Sequence, residues 1–137
     1  MSAIRNGLYD HLSGDATLTA LLPNGSSGIF SDVERPSGVS LPCIQIGADT
    51  EFETITGDDM IQATRALLVM AERSGDQAAV DAIAARVRAL FRGAGLAGLT
   101  FSGYRTGYVS VAGPVETDPD FETYGRVVGV TMRLIPE

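Results

Sequence analysis

The stretch from Ser74 to Phe91 most constrains the fold. Val80, Ile83, Ala84, Val87, Leu90 and Phe91 recur at spacings of three and four, which gathers them on one face of a helix, while Asp81, Arg86 and Arg88 fall largely outside it. Ser74 and Gln77 stand at the spacing of a capping box, in which the two side chains satisfy amides that a helix start leaves open. A helix from about Asp76 to Arg92 is predicted. A helix with one apolar face must lie on a partner, and the segments on both sides of it read as strands, so it covers a sheet.

Ahead of it, Ile4, Leu8 and Leu12 fall at spacings of four, and a second short helical stretch runs from Asp15 to Leu22, with Asp15 or Ser13 as its cap. Pro23 to Gly28 ends it in turn residues, and a short strand follows at Ile29-Phe30. Pro36 and Pro42 remove ladder donors, so residues 35–42 deliver the chain extended into a strand at Cys43–Gly47. Glu51 to Ile55 alternates charged and apolar residues, Thr56-Gly57-Asp58-Asp59 is a turn, and Ile61 to Ala71 is a long β-compatible run with Gln62, Thr64 and Arg65 among the apolar residues. These are two neighbouring antiparallel strands.

After the helix, Gly93–Gly98 breaks the chain and Leu99 opens a last β region containing Tyr104 to Ser110. An acidic connection is predicted from Pro114 to Gly125, then a strand from Arg126 to Ile135 whose run Val127 to Met132 suits burial on both faces. The order helix, strands, helix, strands defines the α+β class: an antiparallel or mixed sheet with helices packed mainly on one face, in one domain spanning 1–137. Short connections within each β region favour hairpins over parallel crossovers.

Composition narrows the function. The 137 residues carry 17 acidic against 10 basic side chains, a net charge of -7 that opposes general adhesion to nucleic acid or anionic membrane. Cys43 is the only cysteine, so neither an intrachain disulfide nor a multi-thiolate metal site can form, and it reads as a small buried apolar residue. Met1 to Leu12 lacks the apolar run of a signal peptide, and no segment approaches the ~20 apolar residues of a membrane span.

Chemical motifs are weak. Gly93-Ala94-Gly95-Leu96-Ala97-Gly98 spells G-x-G-x-x-G, but these glycines follow a helix instead of opening one, so a phosphate would meet the negative end of the dipole; a helix end and turn is the better reading. His11 is the only histidine and has no second imidazole or thiolate for a metal, nor does any serine sit in a nucleophile elbow. Glu116, Asp118, Asp120 and Glu122 alternate like calcium ligands without the loop's central glycine or closing acid, and read as a solvated connection. Glu51, Glu53, Asp58 and Asp59 lack the positioned aromatics of a glycosidase cleft, there being no Trp at all. The Asn24-Gly25-Ser26 sequon has no meaning without a secretion signal. No catalytic residue, cofactor site or metal site is assigned.

Taken together, several passages resemble the tail-completion, or tail-terminator, family of long-tailed phages and gene transfer agents. They are the opening helix, the Ile29-Phe30 strand, the proline-flanked strand Leu41 to Ile46, the Thr56–Asp59 turn and the passage from Ala71 into the helix ending at Phe91. Tyr108-Val109-Ser110, an acidic loop containing Pro-Asp, and a last strand ending Thr131-Met132-Arg133-Leu134 complete the likeness, which covers nearly the whole chain. The resemblance implies a structural virion protein of the tail and neck, made in the host cytoplasm. Its copies would form a ring, typically of six, that caps the finished tail tube and joins it to the head-side connector.

Its partners would be other copies, the tube protein and the connector protein, with DNA only passing through and no membrane. Two loops are the candidates for subunit or tube contacts: Glu51, Phe52, Glu53, Asp58 and Asp59 in one, and Glu116, Asp118, Asp120, Phe121 and Glu122 in the other. A channel lined by carboxylates would let a duplex slide without sticking. Two rival readings stay open: a small-ligand-binding or enzymatic domain built from dispersed residues such as Tyr104, Arg105, Tyr108 and Asp120, and a cytoplasmic assembly factor that does not enter the particle.

Overall fold

A computed structural model describes residues 3–31, 35–47, 53–55, 61–72, 77–116 and 123–137. Helix α1 spans Ala3–Ser13 and buries Ile4, Gly7, Leu8 and Leu12 on one side. Gly14 ends it, its amide bonding back to the Asp10 carbonyl at 2.9 Å. The short helix α2, Ala16–Thr19, starts on Asp15, whose carboxylate accepts from the Leu18 amide at 2.9 Å, as an N-cap should.

The strands are β1 (Ile29–Phe30), β2 (Cys43–Ile46), β3 (Glu53–Ile55), β4 (Ile61–Glu72), β5 (Tyr104–Glu116) and β6 (Thr123–Pro136), and α3 spans Gln77–Ala89. They form one sheet in the order β1-β2-β4-β6-β5, with β3 pairing β4 beside β2. The α+β expectation holds. The sheet is mixed, because β1 runs parallel to β2, Ile29 opposite Ile44. The expected preference for hairpins fails at this one pair. The twelve residues 31–42 are long enough for the crossover that parallel pairing requires.

Strict alternation builds the core. On β4, Ala63, Arg65, Leu67, Val69 and Ala71 are buried, while Gln62, Thr64, Ala66, Leu68 and Met70 are half-buried or exposed on the other face. On β6 the buried set is Val128, Val130, Met132 and Leu134, all at 0% exposure. Packed above these are Leu8, Leu12, Leu18, Val80, Ile83, Ala84, Val87 and Phe91 from the helices.

Two expectations are corrected. β6 is buried on one face only: Val127, Gly129 and Thr131 are half-exposed and Arg133 is exposed, because the helices cover a single side of the sheet. The connection expected over 114–125 is shorter, since β5 continues to Glu116 and β6 starts at Thr123. Pro114 is tolerated in β5 because that strand lies at the sheet edge and Pro114 falls inside a register shift between Ala112 and Val115. A second shift lies between Thr106 and Tyr108.

Candidate functional site

The strand ends that flank the two candidate contact loops lie far apart. Of their residues, Glu51, Phe52, Asp58, Asp59, Asp118, Asp120, Phe121 and Glu122 lie outside the described residues, but the strand ends that flank them are in place. Ile55 and Ile61 flank the first turn, and Ile61 pairs with Leu134; Glu53 pairs with Ala63 in the same hairpin. Glu116 and Thr123 flank the second, and Thr123 pairs with Glu72. Ile61 and Glu72 are the two ends of β4, so the bases of the hairpins stand at opposite ends of a twelve-residue strand. At about 3.3 Å per residue over eleven steps they are roughly 36 Å apart.

At the Glu72 end, Arg126 ties the hairpin base to the helix layer. Its Nε lies 3.3 Å from Asp81 of α3 and its Nη1 lies 3.8 Å from Glu116, which is exposed. Exposed pairs of this kind contribute about 0–1 kcal/mol, so they orient the hairpin more than they stabilise it.

Of the residues named for the rival site, the described ones do not converge. Tyr104 pairs with Pro136 on the helix side of β5 and packs against the core, whereas Tyr108, opposite Arg133, is 55% exposed on the other face. The one-residue shift between Thr106 and Tyr108 separates them, Arg105 is exposed, and Asp120 lies outside the described residues. Among the described residues no group of three or more His, Cys, Asp or Glu side chains is placed to hold a metal, and no helix is long and apolar enough to cross a membrane. The candidate calcium ligands Asp118, Asp120 and Glu122 lie outside them.

A polar cleft of about 360 Å³ lies between α1, α3 and the glycine run, with Asp10, His11, Asp15 and Arg86 on its walls. Its groups are engaged in holding the helices together. Arg86 donates to both Asp15 oxygens at 2.8 and 2.7 Å, and His11 Nε2 donates to the Leu90 carbonyl at 2.6 Å. The Arg86 hydrogen bond, with smaller help from the Leu18 amide and against the cost of burial, holds the Asp15 carboxyl below its ordinary range. A group whose folded pKa is depressed contributes stability above its unfolded pKa and loses it as pH falls through the folded value. Asp15→Ala is therefore expected to cost about 1 kcal/mol through the cap alone at neutral pH. Asp15→Asn should keep most of the cap while flattening the loss of stability below the ordinary carboxylate range, which urea titrations at neutral and acid pH would show. Equal acid sensitivity in wild type and Asp15→Asn would remove Asp15 as the responsible group.

The glycine run forms a tight turn, with a 3-10 segment at Gly93–Leu96 and positive φ at Gly93 and Gly98. A Cβ on Gly95 would sit 1.8 Å from the Ala89 carbonyl oxygen, so glycine there answers to packing at the end of α3. Cys43 is fully buried, and burial pushes its thiol up to about 11. The burial of Arg65 is not apparent from its place among the polar residues of the β4 run: it is fully buried on the helix side, its Nη1 donating to the Thr64 carbonyl at 3.1 Å. Its parity with Ala63, Leu67 and Val69 was the available signal.

An open mixed sheet with helices on one face and a hairpin base at each end of the central strand define an α+β module. Over residues 6–134 the chain matches the family described as Tail completion protein gp17, and it belongs to that family. No curated protein matches it. Membership makes the chain a phage-type tail-completion protein, and the family implies a component of the virion tail.

Proposed function

We propose that copies of this protein close into a ring on the finished tail tube and join it to the head-side connector. The observation that carries this reading, beyond family membership, is the placement of the two hairpin bases at opposite ends of β4. A subunit with interaction loops at both ends of one rigid strand can touch a tube below and a connector above. Head-to-tail contacts of one surface with a different one on the next copy close into a ring when the rotation divides a full turn. Glu51, Phe52, Glu53, Asp58 and Asp59 would serve one end, and Glu116, Asp118, Asp120, Phe121 and Glu122 the other. DNA would pass through without being held, in keeping with the net charge of -7. A basic lumen in an imaged ring would remove this last point.

Light scattering across a concentration series, with and without purified tail tubes, tests the ring. Six copies of a 14.4 kDa chain weigh about 86 kDa, and a species of that mass that images as a ring on tube ends is expected. A monomer that neither associates nor binds tubes would sink the proposal. Its absence from purified particles would favour the assembly-factor reading instead.

A further inference from the structure

We propose that the joint between neighbouring copies is a continuation of the sheet, in which the free edge of β5 in one copy pairs with the free edge of β1 in the next. This rests on the ring reading and names its surface. Among the described residues no strand pairs with the outer edge of either β1 or β5, which close the two ends of the sheet. An unpaired edge presents a row of donors and acceptors to any added strand.

The β5 edge is defended only at its ends. Between the two register shifts, Tyr108 to Ala112 stays in unbroken register with β6 from Arg133 to Gly129 and contains no charged residue. Arg105 and Glu116, Gly107 and Pro114 lie outside that run. At the other end of the sheet, Gly25 to Ser31 is likewise uncharged, which suits contact between chains that each carry -7 and repel at longer range. A cleft of about 340 Å³ beside β1, lined by Arg5, Asn6, Tyr9 and Ser31 over the buried Ile29, Phe30 and Ile46, leaves room next to this edge.

Polarity fits as well. β4 is antiparallel to β2 and β6, β5 is antiparallel to β6, and β1 is parallel to β2. In a sheet continued from copy to copy with its helices on one side, β5 therefore meets the next β1 antiparallel, the more stable arrangement. The two edges are different surfaces, so the joint repeats head-to-tail and has no two-fold axis, as a ring requires.

Cysteine pairs test this directly. Within one copy β1 and β5 are four strand spacings apart, about 19 Å. A disulfide needs Cα atoms within about 7 Å. A bond between the two edges can thus only join two copies. Val109→Cys or Val111→Cys, each combined with Ser31→Cys so that both thiols lie on the helix side of the sheet, is oxidised at a concentration where the mass of the unmodified protein is known, the wild type with its buried Cys43 serving as control. At least one pair is expected to give a ladder of multiples of 14.4 kDa that collapses on reduction, while Ser31→Cys alone gives none. Lysine at the exposed positions Tyr108 and Ala112, which deters strand addition, is expected to shift the large species to a monomer that still unfolds cooperatively. Dimers from Ser110→Cys alone would indicate a two-fold β5–β5 contact and overturn the proposal. So would the absence of any ladder: with a ring-sized mass, only the joint is wrong, and with a monomeric mass and no tube binding the ring reading fails with it.

Discussion

Replacing Phe91 by alanine is expected to lower the unfolding free energy by about 4 kcal/mol, near the middle of the range for deleting a buried phenylalanine. Phe91 lies just beyond the last residue of α3, is 0% exposed, and sits at the meeting point of both helices. Its ring stands 5.2 Å from that of His11 at 58°, next to the bond from His11 to the Leu90 carbonyl. Truncation therefore opens a cavity under α3 and unpacks the side chain that anchors the end of α1. With total stabilities of about 5–15 kcal/mol, such a loss takes a quarter or more of what holds the domain. Urea unfolding should show the midpoint falling with the slope unchanged, and Phe91→Leu should lose well under half as much. A loss below about 1 kcal/mol for the alanine variant would mean that the α1–α3 junction is not close-packed.

Gly7→Ala is the second large effect, and its sign opposes the simplest expectation. In an exposed helix interior the exchange gains about 1 kcal/mol from propensity. Gly7 is buried in the middle of α1, and a Cβ there would lie 2.4 Å from Phe101 Cδ1 and 2.5 Å from the Thr100 carbonyl oxygen. Helix and backbone would have to separate, at an overpacking cost of about 3 kcal/mol. A net destabilisation of about 2 kcal/mol remains. Asn6→Ala, one position away on the exposed side of the same helix, should be neutral or slightly stabilising. Thermal and urea unfolding of both variants decide the matter: a stabilised Gly7→Ala protein would show that α1 does not touch residues 100–101 as closely as described.

Local patterns in the chain were enough to place most elements. The three- and four-residue spacing from Val80 to Phe91 located α3, although Ser74 of its capping box lies outside the described residues. Asp15 as a cap, the Ile29-Phe30 strand and the β3–β4 hairpin followed from turn chemistry and alternation. What failed depends on distant partners. Whether Val127 and Thr131 are covered is decided by which face the helices take, and an apolar run cannot say that. Pro114 looked like the start of a connection because the edge position of β5, which excuses a missing donor, arises only from sheet order. For the same reason nothing in the sequence says how the two acidic loops are spaced; only the register of β4 on β6 puts the strand ends that flank them at opposite ends of β4. The edges of β1 and β5, which no described strand pairs, carry no motif, and a strand becomes an edge only when its neighbours are known.

The central ladder joins residues 61–72 to 123–134, and the loop it closes contains α3 and β5 entire. Closing so long a loop has to precede the contacts that reward it, so this pairing is among the slower steps of folding. During synthesis β4 waits with one long side bare until β6 has been made. The outermost strands consequently gain a fixed relation to each other only in a finished chain, and a half-made copy has no completed end to offer. If copies join through those outer strands, as proposed, translation order holds back their assembly until each participant is whole.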